Sequence, residues 1–177
     1  MITPMALQDS VCNFLEKEVA PLFMLKSVDI HGGEIRKHPQ VVRSGWILPK
    51  SIDDEDYSET EEYPYIAPRV LKLQNIKDAR ESVLDVNIMF GVYDPGTYDE
   101  NKKFIDDGSG YRDFWNLVET VRQKLFTKHT LDNKFRLHDD FFEAELIDVQ
   151  IYPYWEGFCK TKWDVAHPPP RPDESFF

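Results

Sequence analysis

The sequence predicts an α+β domain: a twisted antiparallel sheet of about four strands plus a hairpin arm, with α-helices packed on one face. Three observations predict it. Leu84, Val86, Ile88, Phe90 and Val92 alternate with Asp85, Asn87, Met89, Gly91 and Tyr93, the period of a strand covered on one side. Two other segments, one N-terminal and one central, repeat apolar residues at helical spacing instead. The strand-like runs are linked by turn-rich stretches rather than by regularly placed crossover helices, which favours antiparallel pairing.

Taken in order, Thr3 and Pro4 supply an N-cap and a proline at the first helical position. Leu7, Val11, Phe14, Leu15 and Val19 then form one stripe that ends at Pro21. From Leu22 to Pro49 the pattern is broken by His31-Gly32-Gly33 and His38-Pro39, and reads as a hairpin or irregular arm. Ser51 to Tyr63, SIDDEDYSETEEY, reads as a solvated loop that like charges hold open. It contains no glycine, so it lacks the sharp turn of a calcium loop.

Ile66 to Ile76 predicts a strand that starts after Pro64 and carries Pro68 near its beginning, where a missing N–H matters least. The alternating strand from Ser82 follows, then turn chemistry from Asp94 to Gly110. GYRDFWNLVETVRQKLF is the best-defined helix: Phe114, Leu117, Val118, Val121 and Leu125 form its stripe, widened by Tyr111 and Trp115. Asp113 sits near the positive end of its dipole, Arg122 and Lys124 near the negative end.

Leu146 to Trp155 reads as a strand with Ile147, Val149, Ile151 and Trp155 pointing inward and Asp148, Gln150, Tyr152 and Tyr154 outward. Glu156-Gly157 then predicts a turn or bulge, and KTKWDV a final strand with Thr161, Trp163 and Val165 on one face. Residues 1–166 thus form a single domain, and the HPPPRPDESFF tail, 167–177, is a polyproline arm expected to be mobile or to reach a neighbour.

Composition narrows the function classes. A net charge of -11 argues against a nucleic-acid groove, because phosphate neutralisation needs clustered Lys and Arg. No apolar run approaches the roughly 20 residues of a membrane span, and the first residues lack the pattern of a secretory signal, so a soluble, cytoplasmic origin is expected. Cys12 and Cys159 lie far apart among apolar residues and read as structural thiols.

The chain has no phosphate loop, dinucleotide fingerprint, nucleophile elbow or HExxH pair. His31 beside two glycines reads as a turn residue. His138, Asp139, Asp140 and Glu143, with Glu145 close by, are the best metal candidates and the basis of a less favoured metal-dependent enzyme; adjacent residues rarely converge on one ion, which favours a polar connection. No catalytic residue, cofactor or metal is assigned, and the expectation is a non-enzyme. Trp155 and Trp163 read as core and as a pair across the hairpin, whereas Tyr152 and Tyr154, with Trp46, are candidate subunit-interface residues.

Three segments taken together carry a resemblance: GWILPK, followed by the acidic loop and YPYIAPRVLKL; GYRDFWNLVETVRQKL; and YPYWEGFCKTKWDV. From about Val41 to Val165 the chain resembles a family of small prophage proteins of Gram-positive bacteria, which are similar to the tail terminator, or tail completion, proteins of long-tailed bacteriophages. The resemblance implies a structural protein that forms a ring, commonly a hexamer, caps the tail tube and helps join tail to head. Its implied partners are itself, the tube protein and the head-tail connector protein, in the virion tail or neck and, during assembly, the host cytoplasm. A connector or minor capsid or tail component is the alternative. In such a ring Asp53, Asp54, Glu55, Asp56, Glu59, Glu61 and Glu62 are candidates for an acidic lumen that repels passing DNA.

Overall fold

The computed structural model describes residues 3–27, 35–44, 63–75, 81–105 and 108–166. The elements in chain order are α1 (Pro4–Glu18), a single 3-10 turn (Ala20–Leu22), β1 (Leu25–Ser27), β2 (Ile35–Lys37), β3 (Gln40–Val41), β4 (Tyr65–Asn75), β5 (Glu81–Tyr93), β6 (Thr97–Tyr98), β7 (Phe104–Ile105), α2 (Ser109–Lys128), β8 (Thr130–Leu131), β9 (Phe135–Leu146) and β10 (Tyr154–Ala166). The α1 N-terminus forms as its sequence dictates. Thr3 Oγ1 accepts from the Ala6 N–H at 3.1 Å, and proline occupies the first turn.

The main sheet has six strands in the order β3-β4-β5-β10-β9-β8. Every neighbouring pair is antiparallel except β3–β4, which is parallel. β1 and β2 form the hairpin arm as a separate antiparallel pair, and β6 pairs with β7. Three of the expected strands appear as β4, β5 and β10, the expected strand at Leu146 to Trp155 does not form, and the strands not expected are β9 and the two-residue β3 and β8, too short for an alternating pattern to show.

Both helices lie on one face. Leu7, Val11 and Leu15 of α1 and Phe114, Leu117 and Val121 of α2 share one buried cluster with Val86, Ile88 and Phe90 of β5. All five apolar residues of β5's inward face are buried, as are the five stripe residues of α2. Burying side chains of this size stabilises by about 1.5–3 kcal/mol each, so this layer dominates the fold.

The C-terminal hairpin departs from its expected layout. Glu156-Gly157 is no turn: both lie inside β10, and the chain reverses through residues 147–153. Ile151 is 72% exposed and Val149 75% exposed, so neither joins the core. Trp155 and Trp163 do face the helices, but from the same strand rather than across a hairpin. HDDFFEAE belongs to β9 and is not a connection. A register shift opposite Thr161 and Trp163 puts Phe135 and Leu137 inward before it and Phe142, Ala144 and Leu146 inward after it, so no single period runs through the segment.

The loop at 147–153 is held by Gln150, whose amide takes the Glu156 N–H at 2.7 Å and donates to the Glu156 carbonyl at 2.9 Å. Its amide also donates to the Ile147 carbonyl. Among the described residues no helix is long and apolar enough to cross a membrane.

Candidate functional site

The helices cover one face of the sheet. On the other, Tyr63, Tyr65 and Ala67 form a second buried cluster with Met89, Tyr93 and Tyr154 packed against it. β10 alternation places Tyr154 and Glu156 on this second face, because Trp155 and Cys159 point to the helices. The Tyr63 and Tyr154 ring centroids are 4.4 Å apart, Tyr63 and Tyr65 5.2 Å, and Tyr93 and Tyr154 5.7 Å. The close approach needs Gly91: a Cβ there would stand 2.1 Å from the Tyr65 ring.

Glu156 is the polar centre of the patch. Its Oε1 accepts from the Tyr65 hydroxyl at 3.0 Å and also from the Tyr63 hydroxyl. Burial, reinforced by the bond to Glu156, pushes the Tyr63 phenol well above the ordinary tyrosine range. Burial raises Tyr93 as well, with the Asp94 carboxylate adding to it. Both raised phenols, Tyr63 and Tyr93, stay protonated at neutral pH.

Of the expected interface residues, Tyr154 belongs to this patch. Tyr152 lies in the 147–153 loop, 59% exposed, with its hydroxyl donating to the Pro95 carbonyl at 2.5 Å. Trp46, His31, the acidic residues Asp53, Asp54, Glu55, Asp56, Glu59, Glu61 and Glu62, and the 167–177 tail lie outside the described residues.

The metal candidates separate. His138 Nε2 is 2.6 Å from Asp164 Oδ1, and Asp139 Oδ1 is 3.0 Å from His129 Nδ1, while Glu143 and Glu145 flank the Lys160 ammonium at 3.6 and 3.3 Å. Among the described residues no three His, Cys, Asp or Glu side chains are placed to hold one ion. Both cysteines are buried and unbridged. Burial pushes the Cys12 thiol up to about 11 and raises that of Cys159 too, which suits the structural role read from their surroundings.

A buried cluster that the sequence does not advertise joins three distant segments. Asp94, at the end of β5, accepts from Lys26 Nζ of β1 at 2.7 Å, from Ser109 Oγ at 2.6 Å, and from the backbone N–H groups of Gly110 at 2.6 Å and Gly96 at 3.1 Å. Burial would raise the Asp94 carboxyl, but these four donors outweigh it and hold the group below the usual carboxylate range. Asp94 thereby caps α2, whose own N-cap residue is Gly108 with no side chain to offer. Ser109 donates to the carboxylate and accepts from Lys26 Nζ at 3.2 Å, so the trio ties arm, sheet and helix together. An Asp followed fifteen residues later by Ser-Gly at a helix start is the only trace it leaves in the sequence.

No family model matches the chain, and no curated protein matches it.

Proposed function

We propose that this chain is a structural protein of a long-tailed bacteriophage, the tail terminator that assembles as a ring, caps the tail tube and helps join tail to head. The observation that carries the reading is the one-sided architecture. Two helices cover one face of the sheet, while the other carries a tyrosine cluster in which Tyr63 and Tyr65 are buried and Tyr93 and Tyr154 half-buried, the residue type enriched at subunit contacts. A ring protein needs such surfaces and needs no cleft chemistry. The similarity of GWILPK with YPYIAPRVLKL, of the GYRD helix and of the PYW segment to prophage tail proteins points the same way.

The test is removal of the gene from a phage that carries it. Loss of the terminator gives tails of uncontrolled length or tails without heads, seen by electron microscopy; tails that still end at uniform length and join heads refute the role. Co-purification with the tube protein is expected. Co-purification with the connector alone would favour the second reading, a head-tail joining or minor component.

A further inference from the structure

Both outer edges of the long-stranded part of the sheet extend past their short neighbours. β3 pairs with β4 only at Tyr65 and Ile66, and β8 pairs with β9 only at Phe135 and Arg136. The Val70 N–H is taken by Gln8 Oε1 at 3.3 Å and the Leu137 N–H by the His129 carbonyl at 2.9 Å. Beyond these points no described strand pairs with the outer side of 71–75 of β4, whose inner side pairs with β5, or of 138–146 of β9, whose inner side pairs with β10. Backbone donors and acceptors at such edges are templates for another strand unless charge or cover prevents it.

The two edges carry opposite charge. β4 holds Arg69 and Lys72 and no acidic residue, whereas β9 holds Asp139, Asp140, Glu143 and Glu145 against Arg136. The β4 edge also exposes Leu71 (48%) and Leu73 (54%), large apolar side chains that a monomer leaves in water. On β9, Phe141 and Phe142 are half-buried beside the acids.

Strand direction suits a head-to-tail contact. The order β4-β5-β10-β9 is antiparallel at every step, so β4 and β9 run in opposite directions, and a second copy placed beside the first meets it with antiparallel strands and its helices on the same side. The open stretches are also staggered. Leu73 is level with Leu84, Trp163 and Leu137, whereas Leu146 is level with Gly157, Phe90 and Ile66. Joining 71–75 to 138–146 therefore shifts each copy along the strand direction, the shear that lets a twisted sheet close.

We propose that the β4 edge of one copy pairs with the β9 edge of the next, forming a heterologous β-sheet contact that continues from subunit to subunit. The proposal rests on the ring-forming reading above and names the surface that builds the ring. Two-fold alternatives are disfavoured by charge: β9 against β9 brings two acid-rich edges together, each with its four carboxylates only partly offset by His129 and Lys160, and β4 against β4 sets Lys72 near its own kind. Only the unlike pairing attracts, and it leads to a ring when the rotation closes.

Sedimentation velocity and native mass spectrometry of the full chain test it. The unchanged protein self-associates at low salt, and association weakens as salt rises. Lys72→Glu with Gln74→Glu, and separately Asp140→Lys with Glu143→Lys, each weaken association by about tenfold or more, with circular dichroism and melting temperature matching the unchanged chain. A chain carrying all four substitutions exchanges the two edge charges and regains association. Variants that assemble as well as the unchanged chain, or a four-fold variant no better than either pair, overturn the contact while leaving the terminator role to the gene-removal test. A protein that stays monomeric at the highest concentration in low salt also overturns it. Tails of normal length without the gene sink the terminator role and leave the contact standing.

Discussion

Replacing Asp94 with alanine should be among the most damaging single substitutions in this protein. The carboxylate is 3% exposed and the partner Lys26 side chain 11% exposed, so removing Asp94 takes away the buried carboxylate 2.7 Å from the Lys26 ammonium. Ser109 Oγ and the N–H groups of Gly110 and Gly96 lose their acceptor in the same step. Breaking one side of a buried pair costs about 3–5 kcal/mol, a figure that already absorbs the roughly 1 kcal/mol of a lost helix cap. At about 2–4 °C per kcal/mol for a chain of this length, the melting temperature should fall by roughly 10 °C. The assay is thermal and urea unfolding followed by circular dichroism at pH 7. Asp94→Ala combined with Lys26→Met removes the ammonium as well and should recover most of the loss. Because the folded carboxyl is held below its usual range, its stabilisation is present above the ordinary carboxylate pKa and is lost as pH falls through the folded value; the gap between variant and unchanged protein should narrow in acid. A loss under about 1 kcal/mol, or a double variant as unstable as the sum of its parts, would refute the account of Asp94 as a charged tie.

Two further outcomes follow from the packing. A Cβ at Gly157 would stand 2.4 Å from Phe114 Cζ and 2.5 Å from the Glu145 carbonyl oxygen, so Gly157→Ala should cost about 1–3 kcal/mol in urea unfolding, and an unchanged midpoint would mean that α2 does not seat on β10 as described. Tyr63 holds its proton above the ordinary value of 10.0 in the folded chain, so the unfolded chain ionises first and stability falls as pH rises past 10; Tyr63→Phe should flatten the loss of melting temperature between pH 8 and 11, and an unaltered slope would remove Tyr63 as its source.

The sequence by itself determined the layers. Helical spacing marked Leu7 to Val19 and Phe114 to Leu125, and strict alternation marked Leu84 to Val92, because each segment buries one face against a single neighbour and its period survives in the residue order. It also separated Trp155 and Trp163 from Tyr154, since alternation within one strand holds regardless of what precedes it. The tertiary structure alone decided where the C-terminal chain reverses. Ile147, Val149 and Ile151 alternate as a strand does, yet Gln150 closes them into a loop by bonding Glu156, and the register shift in β9 hides a real strand behind the acids of HDDFFEAE. The same limit applies to the tyrosine patch and the Asp94 tie. Tyr63 meets Glu156, and Lys26 meets Asp94, only because β4, β5 and β10 are neighbours and β1 crosses near the start of α2. Residues 93 and 68 positions apart share no local period, and burial, not sequence proximity, gives their hydrogen bonds strength.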